Sequence, residues 1–213
     1  HPDCGEATEG LEQALRSSHD SAGLVELLER RAQDEPDPAA RAHLDLERAA
    51  LLEESIGDEP AALALLTQLA DVAPEAEPAV AALAAVRIER LLERRGEWPA
   101  LRARLERALE DGDETDRLTL RERLAGVCRD RLGDREGAIA HLEAIGAAAP
   151  DRGDVWCGLA SLYEELDRRD DLLRTIEAEL ATHPAADRAL VLHARAARLC
   201  AERASASSGP DAD

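Results

Sequence analysis

The stretch LGDREGAIAHLEAIGAAAP at residues 132–150 repeats the stretch IGDEPAALALLTQLADVAP at residues 56–74. Leu132-Gly133-Asp134 and Ala149-Pro150 stand 76 positions after Ile56-Gly57-Asp58 and Ala73-Pro74. Apolar residues travel with these markers: Ala62, Leu66 and Leu83 match Ala138, Leu142 and Leu159, and Leu28-Glu29 maps onto Leu105-Glu106 and Ile176-Glu177. Glycine takes the left-handed conformation that ends a helix, and the aspartate after it caps the next one. A helix stop and a helix start recurring at long spacing describe stacked helical units, each completed by its neighbour.

Working outward, Pro150, Pro184 and Pro74 stop helices from the other side. Within helices, apolar residues recur at three and four, as in Leu24, Leu27, Leu28 and in Leu101, Leu105, Leu109, so each helix has one buried stripe. The pattern predicts helices near 21–33, 39–56, 59–72, 77–95, 98–110, 115–132, 135–148, 153–167, 170–182 and 185–203, and strand-type alternation is absent. Residues 1–20 read as a lead-in with Leu11 and Leu15 at helical spacing, residues 21–203 as the repeat domain, and residues 204–213 as a disordered tail or linker without an apolar stripe.

Composition agrees with an all-helical chain. Ala, Leu, Glu, Asp and Arg dominate its 213 residues, and Ala, Leu, Glu and Arg lose little side-chain freedom in a helix. All 26 basic residues are Arg, while Lys, Asn, Phe and Met are absent, the usage expected of a GC-rich bacterial genome. The 46 acidic residues leave a net charge of -20, which opposes binding to nucleic acid or to an anionic membrane surface. The charge is uneven, about -14 over residues 1–80, near zero over 81–140 and about -6 over 141–180. No window is apolar enough to span a bilayer. The chain begins at His1, which suggests a removed segment or a piece of a longer protein, and the compartment is left open with the cytoplasm slightly favoured.

Trp156-x-x-Leu159-Ala160-x-x-Tyr163, followed by Leu172, Ile176 and Pro184, resembles a tetratricopeptide repeat, whose pattern opens W-x-x-L-G-x-x-Y. Weaker matches run through Leu124-Ala125-Gly126-Val127-Cys128 to Pro150 and from Ala49 to Pro74. The marker spacing averages about 38 residues per helix pair against the family's 34. The resemblance implies a right-handed α-solenoid of antiparallel helix pairs, about ten helices in all, with first helices lining a concave groove for peptides. Carried over residue by residue from Trp156, it places Asp154, Cys157, Ser161, Glu164 and Glu165 on that groove. One pair earlier the set is Thr119, Glu122, Arg129 and Asp130, and an earlier first helix offers His43, Leu46, Glu53 and Glu54. Members that clamp an acidic peptide terminus use Lys and Asn there, and this chain has neither.

Candidate chemistry is sparse. Cys4, Cys128, Cys157 and Cys200 lack metal-site spacing, so no metal is expected. Cys128 and Cys200 occupy equivalent places and read as buried or half-buried packing thiols. The six histidines form no H-E-x-x-H motif, and neither phosphate-binding glycine loops nor G-x-S-x-G occur, so no cofactor and no catalytic residue is expected. Trp156 reads as filler between paired helices and Trp98 as packing across a turn. The expectation is a noncatalytic scaffold binding a protein or peptide, basic in charge, through an acidic groove, its oligomeric state open. A structural spacer in a larger protein is the alternative, and an enzyme on a helical-repeat scaffold a weaker one.

Overall fold

The computed structural model describes residues 2–72, 77–112 and 114–207; Ala73-Pro74 and residues 208–213 of the expected tail lie outside them, as does the side chain of Cys4. Among the described residues there are eleven α-helices and no strand. They are α1 (Pro2–Ser18), α2 (Ser21–Asp34), α3 (Pro38–Leu51), α4 (Glu59–Val72), α5 (Pro78–Arg95), α6 (Trp98–Asp111), α7 (Glu114–Gly126), α8 (Arg135–Ala148), α9 (Gly153–Glu165), α10 (Arg169–Ala181) and α11 (Ala186–Ser207). The lead-in is thus helical, and α11 continues past Ala204 because alanine and serine there carry the helix on without a breaker.

Backbone geometry reveals a shorter repeat than the sequence marker. Left-handed residues at His19, Gly57, Gly96, Gly133 and Asp167 separate odd from even helices at spacings of 38, 39, 37 and 34. At each turn the next residue's N–H returns to the preceding helix: Asp20 to Leu15 O, Asp58 to Leu52 O, Glu97 to Leu92 O, Asp134 to Cys128 O and Arg168 to Tyr163 O. This bond satisfies a carbonyl that the helix end would leave unpaired. It spans one residue more at Gly57 and Gly133, where a π-helical turn (Leu52–Ile56 and Val127–Leu132) closes the helix. Aspartate caps the following helix as expected: Asp20 accepts from Gly23 N, Asp58 from Ala61 N and Asp134 from Gly137 N.

The same register sets the core. Five residues past each left-handed position stand Leu24, Ala62, Leu101, Ala138 and Leu172, all buried. Nine past stand Leu28, Leu66, Leu105 and Ile176, also buried, with Leu142 half-buried. The helices fall into two compact units, His1–Glu97 and Trp98–Asp213. In each unit consecutive helices pack against one another through short connections, which makes them antiparallel. In the second unit the core runs continuously from Cys128 to Leu199.

Two side chains, those of Trp156 and Cys200, depart from expectation. Trp156 is half-buried; its Nε1 donates to Pro150 O at 2.8 Å and its ring lies on Gly146 of α8, so it fills the seam toward the preceding pair rather than the space within its own. Cys128 is buried as expected, and burial pushes its thiol pKa up. Cys157 and Cys200 are exposed, since α9 and α11 turn those positions away from the core.

Candidate functional site

In the first unit α3 and its π-helical turn carry the expected groove residues. Leu46 is half-buried beside them, and exposed His43 stands 4.0 Å from Glu77. Glu53, 11% exposed, lies 2.9 Å from Arg94 and 3.6 Å from Arg87 of α5, and Glu54 lies 3.5 Å from Arg87. Arg94 also reaches Glu59 at 3.1 Å, so one guanidinium ties the π-helical turn and α4 to α5.

In the second unit the residues lie on α7, the turn after it, and α9. Arg152, just before α9, works with both ends of its guanidinium. Nη1 donates to Glu122 of α7 at 2.6 Å, while Nε and Nη2 grip Asp154 at 2.9 and 2.6 Å. The Arg152 hydrogen bonds hold the Asp154 carboxyl below the usual carboxylate range. The same two-pronged contact from neighbouring Arg129 depresses Asp130. Glu164 meets Arg195 of α11 at 2.5 Å, and Glu165 meets Arg135 of α8 at 2.8 Å. Ser161 Oγ donates to Cys157 O, and Thr119 is exposed. Cys157 Sγ lies 3.1 Å from Arg188 Nη2, and that same guanidinium binds the buried carboxylate of Glu179 at 2.8 and 2.9 Å.

The structure therefore brings Glu122 and Asp154 together through Arg152, and it brings Cys157 and Glu164 against α11. Every carboxylate of the expected groove has an arginine partner. Arg87, Arg94, Arg135, Arg152 and Arg195 were not among the expected site residues. Three of them share a spacing in the chain: Glu122–Arg152, Arg135–Glu165 and Glu164–Arg195 are separated by 30 or 31 residues, a little less than the structural spacings of 34 to 39. In these three the arginine and the carboxylate face each other across neighbouring pairs.

Among the described residues no group of three His, Cys, Asp or Glu is placed to hold a metal ion, and no helix is long and apolar enough to cross a membrane. No family model matches the chain, and no curated protein matches it. Solved structures similar to it are TPR-like repeat proteins. The TPR-like repeats of a putative kinesin light chain from Podosopora anserina are 20% identical over 85% of this chain and 95% of that one, with a TM-score of 0.45. A MamA protein is 16% identical over 85% and 92%, TM-score 0.45. A tetratricopeptide repeat protein from Parabacteroides merdae is 14% identical over 91% and 71%, TM-score 0.45.

Proposed function

We propose that this chain is a noncatalytic scaffold that binds a basic protein segment through the carboxylate-bearing side of its first helices. The supporting observation is the Arg152 bridge: Glu122 and Asp154 are held in place by one guanidinium yet remain 42% and 65% exposed. A partner's arginine or lysine then competes for carboxylates that are already oriented. Exposed ion pairs contribute only about 0–1 kcal/mol each, so exchanging an internal arginine for a partner's costs little. The net charge of -20 draws a basic segment toward the chain. Within the first unit, half-buried Leu46 offers apolar contact on the helix that leads into Glu53 and Glu54.

A second reading, a structural spacer without a ligand of its own, is favoured by the complete internal pairing of these carboxylates. The two separate in one experiment. The purified chain is used to capture partners from lysate of its source at low and at high salt, beside the double variant Glu164→Ala, Glu165→Ala. A basic protein held at low salt, lost at high salt and weakened at least several-fold by the variant supports the scaffold. Equal capture by the variant removes the groove assignment, and empty capture at both salts favours the spacer.

A further inference from the structure

Each unit has a cavity where a first helix passes between the two second helices that flank it. In the first unit it lies over α3 and has a volume of about 300 Å³, lined in part by Glu29 of α2, Asp45 and Arg48 of α3 and Gln68 of α4. In the second unit it lies over α9 and has a volume of about 250 Å³, lined in part by Glu143 of α8, Trp156, Leu159 and Tyr163 of α9 and Ala178 of α10. The positions correspond. Glu29 and Glu143 stand ten residues past left-handed His19 and Gly133, and Gln68 and Ala178 stand eleven past left-handed Gly57 and Asp167. Counted back from Leu52 and Tyr163, whose carbonyls close the turns, Asp45 and Arg48 correspond to Trp156 and Leu159.

The chemistry differs at the glutamate. Glu29 receives a guanidinium from the floor of its own cavity, Arg48 at 2.9 Å, and Glu106, ten past left-handed Gly96, is held by Arg102 at 2.7 Å. With Leu159 in the place of Arg48, Glu143 has no arginine partner among the described residues; it accepts a hydrogen bond from Tyr163 and stays exposed. Arg174 at the rim and Arg168 over the Tyr163 ring are both bound by Asp171 instead. The cavity thus sets an uncompensated carboxylate beside the half-buried indole of Trp156.

We propose that this cavity receives the guanidinium of an arginine side chain from another protein, paired with Glu143 and lying against Trp156. The site shares no residue with the groove on the first helices and does not rest on that reading. A guanidinium pairs with a carboxylate along one edge while its face stacks on an aromatic ring, which an ammonium cannot do. Indole is the best aromatic partner for a cation. A volume of about 250 Å³ is below the roughly 300–1,000 Å³ of sites for drug-sized ligands and suits a single side chain.

The test uses the full chain with Trp98→Phe, which leaves Trp156 as its tryptophan. It is titrated with an acetylated, amidated Gly-Arg-Gly peptide at constant ionic strength while tryptophan emission is read. A saturable change with a dissociation constant in the millimolar range is expected, and none with the peptide that carries citrulline, the neutral isostere, in place of arginine. Glu143→Gln keeps an acceptor for Tyr163 and should weaken binding at least several-fold. Ala147→Arg puts an arginine one turn after Glu143, where it should pair within the helix, abolish peptide binding and leave the circular dichroism unchanged. The groove variant Glu164→Ala, Glu165→Ala should bind the peptide as tightly as the unsubstituted groove. A response that does not saturate, an equal response to citrulline, or unchanged affinity in folded Glu143→Gln or Ala147→Arg chains overturns the proposal. Loss of binding in the groove variant overturns it too, by assigning the arginine to the groove.

Discussion

Tyr163 Oη of α9 donates a 2.6 Å hydrogen bond to Glu143 Oε1 of α8, from a side chain that is otherwise buried. Glu143 stands ten residues past left-handed Gly133, as Glu29 stands ten past left-handed His19, and Glu29 meets Arg48 of the next first helix at 2.9 Å. The same register position thus ties a second helix to the following first helix in both units, once through a phenol and once through a guanidinium. Burial and the Glu143 carboxylate push the Tyr163 pKa up, while Arg168 stacks over the ring at 5.0 Å. Tyr163→Phe keeps the packing and removes the donor, so urea unfolding should report a loss of about 1 kcal/mol. A loss of similar size in a Glu143→Ala background would show that the two residues are not coupled.

Gly146 is where the Trp156 ring sits. A Cβ added there would lie 2.9 Å from Cη2 and 3.1 Å from Cζ3 of the ring. Gly146→Ala should therefore destabilise the second unit by about 1–3 kcal/mol through overpacking, despite the gain in helix propensity. Trp156 fluorescence should shift as the ring is displaced, and an unchanged spectrum with unchanged stability would remove the contact.

The turn residues separate backbone strain from packing. Gly133 has φ +65 and open space around its Cα, so Gly133→Ala should cost about 1 kcal/mol through conformation alone. His19 adopts φ 57 with a side chain that disfavours it, and His19→Gly should recover up to about 1 kcal/mol. Opposite signs in paired chemical denaturation curves are the expected result.

His141 of α8 is half-buried, and its Nδ1 is buried without a hydrogen-bond partner among the described residues. Burial, followed by repulsion from Arg121, lowers its pKa below the ordinary 6.5, against the pull of Glu106 and Asp134. The folded chain then resists a proton that the unfolded chain accepts. Its contribution to stability is intact above about pH 6.5 and declines as pH falls through that value toward the lower folded-state pKa. His141→Gln should flatten this part of the stability profile between pH 7 and 5. An identical slope in the variant would assign the pH dependence elsewhere.

The helix boundaries were legible in the sequence because their causes are local. Gly57-Asp58 and Gly133-Asp134 stop one helix and cap the next within two residues, and the leucine stripes name the buried side. The left-handed turns at His19 and Asp167 were harder to recognise, because neither residue is glycine and the conformation is imposed by the helices on both sides. The π-helical turns were illegible for a related reason: one extra residue in a helix leaves no mark in composition.

The candidate site was legible only as a set of positions. From the sequence, Glu122, Asp154, Glu164 and Glu165 look like bare carboxylates on helix faces. Their arginine partners lie on other helices, and a pairing across helices depends on axial register and side-chain reach. The sequence by itself determined the helical class, the turn chemistry and the side that most helices bury, since these follow from backbone propensity and periodicity within a few turns, whereas Leu83, matched to buried Leu159, stands 45% exposed. Only the tertiary structure decided that Arg152 joins Glu122 to Asp154 and that Trp156 packs on Gly146. Those contacts depend on how far one helix slides and rotates against the next, a quantity set by packing along the whole interface.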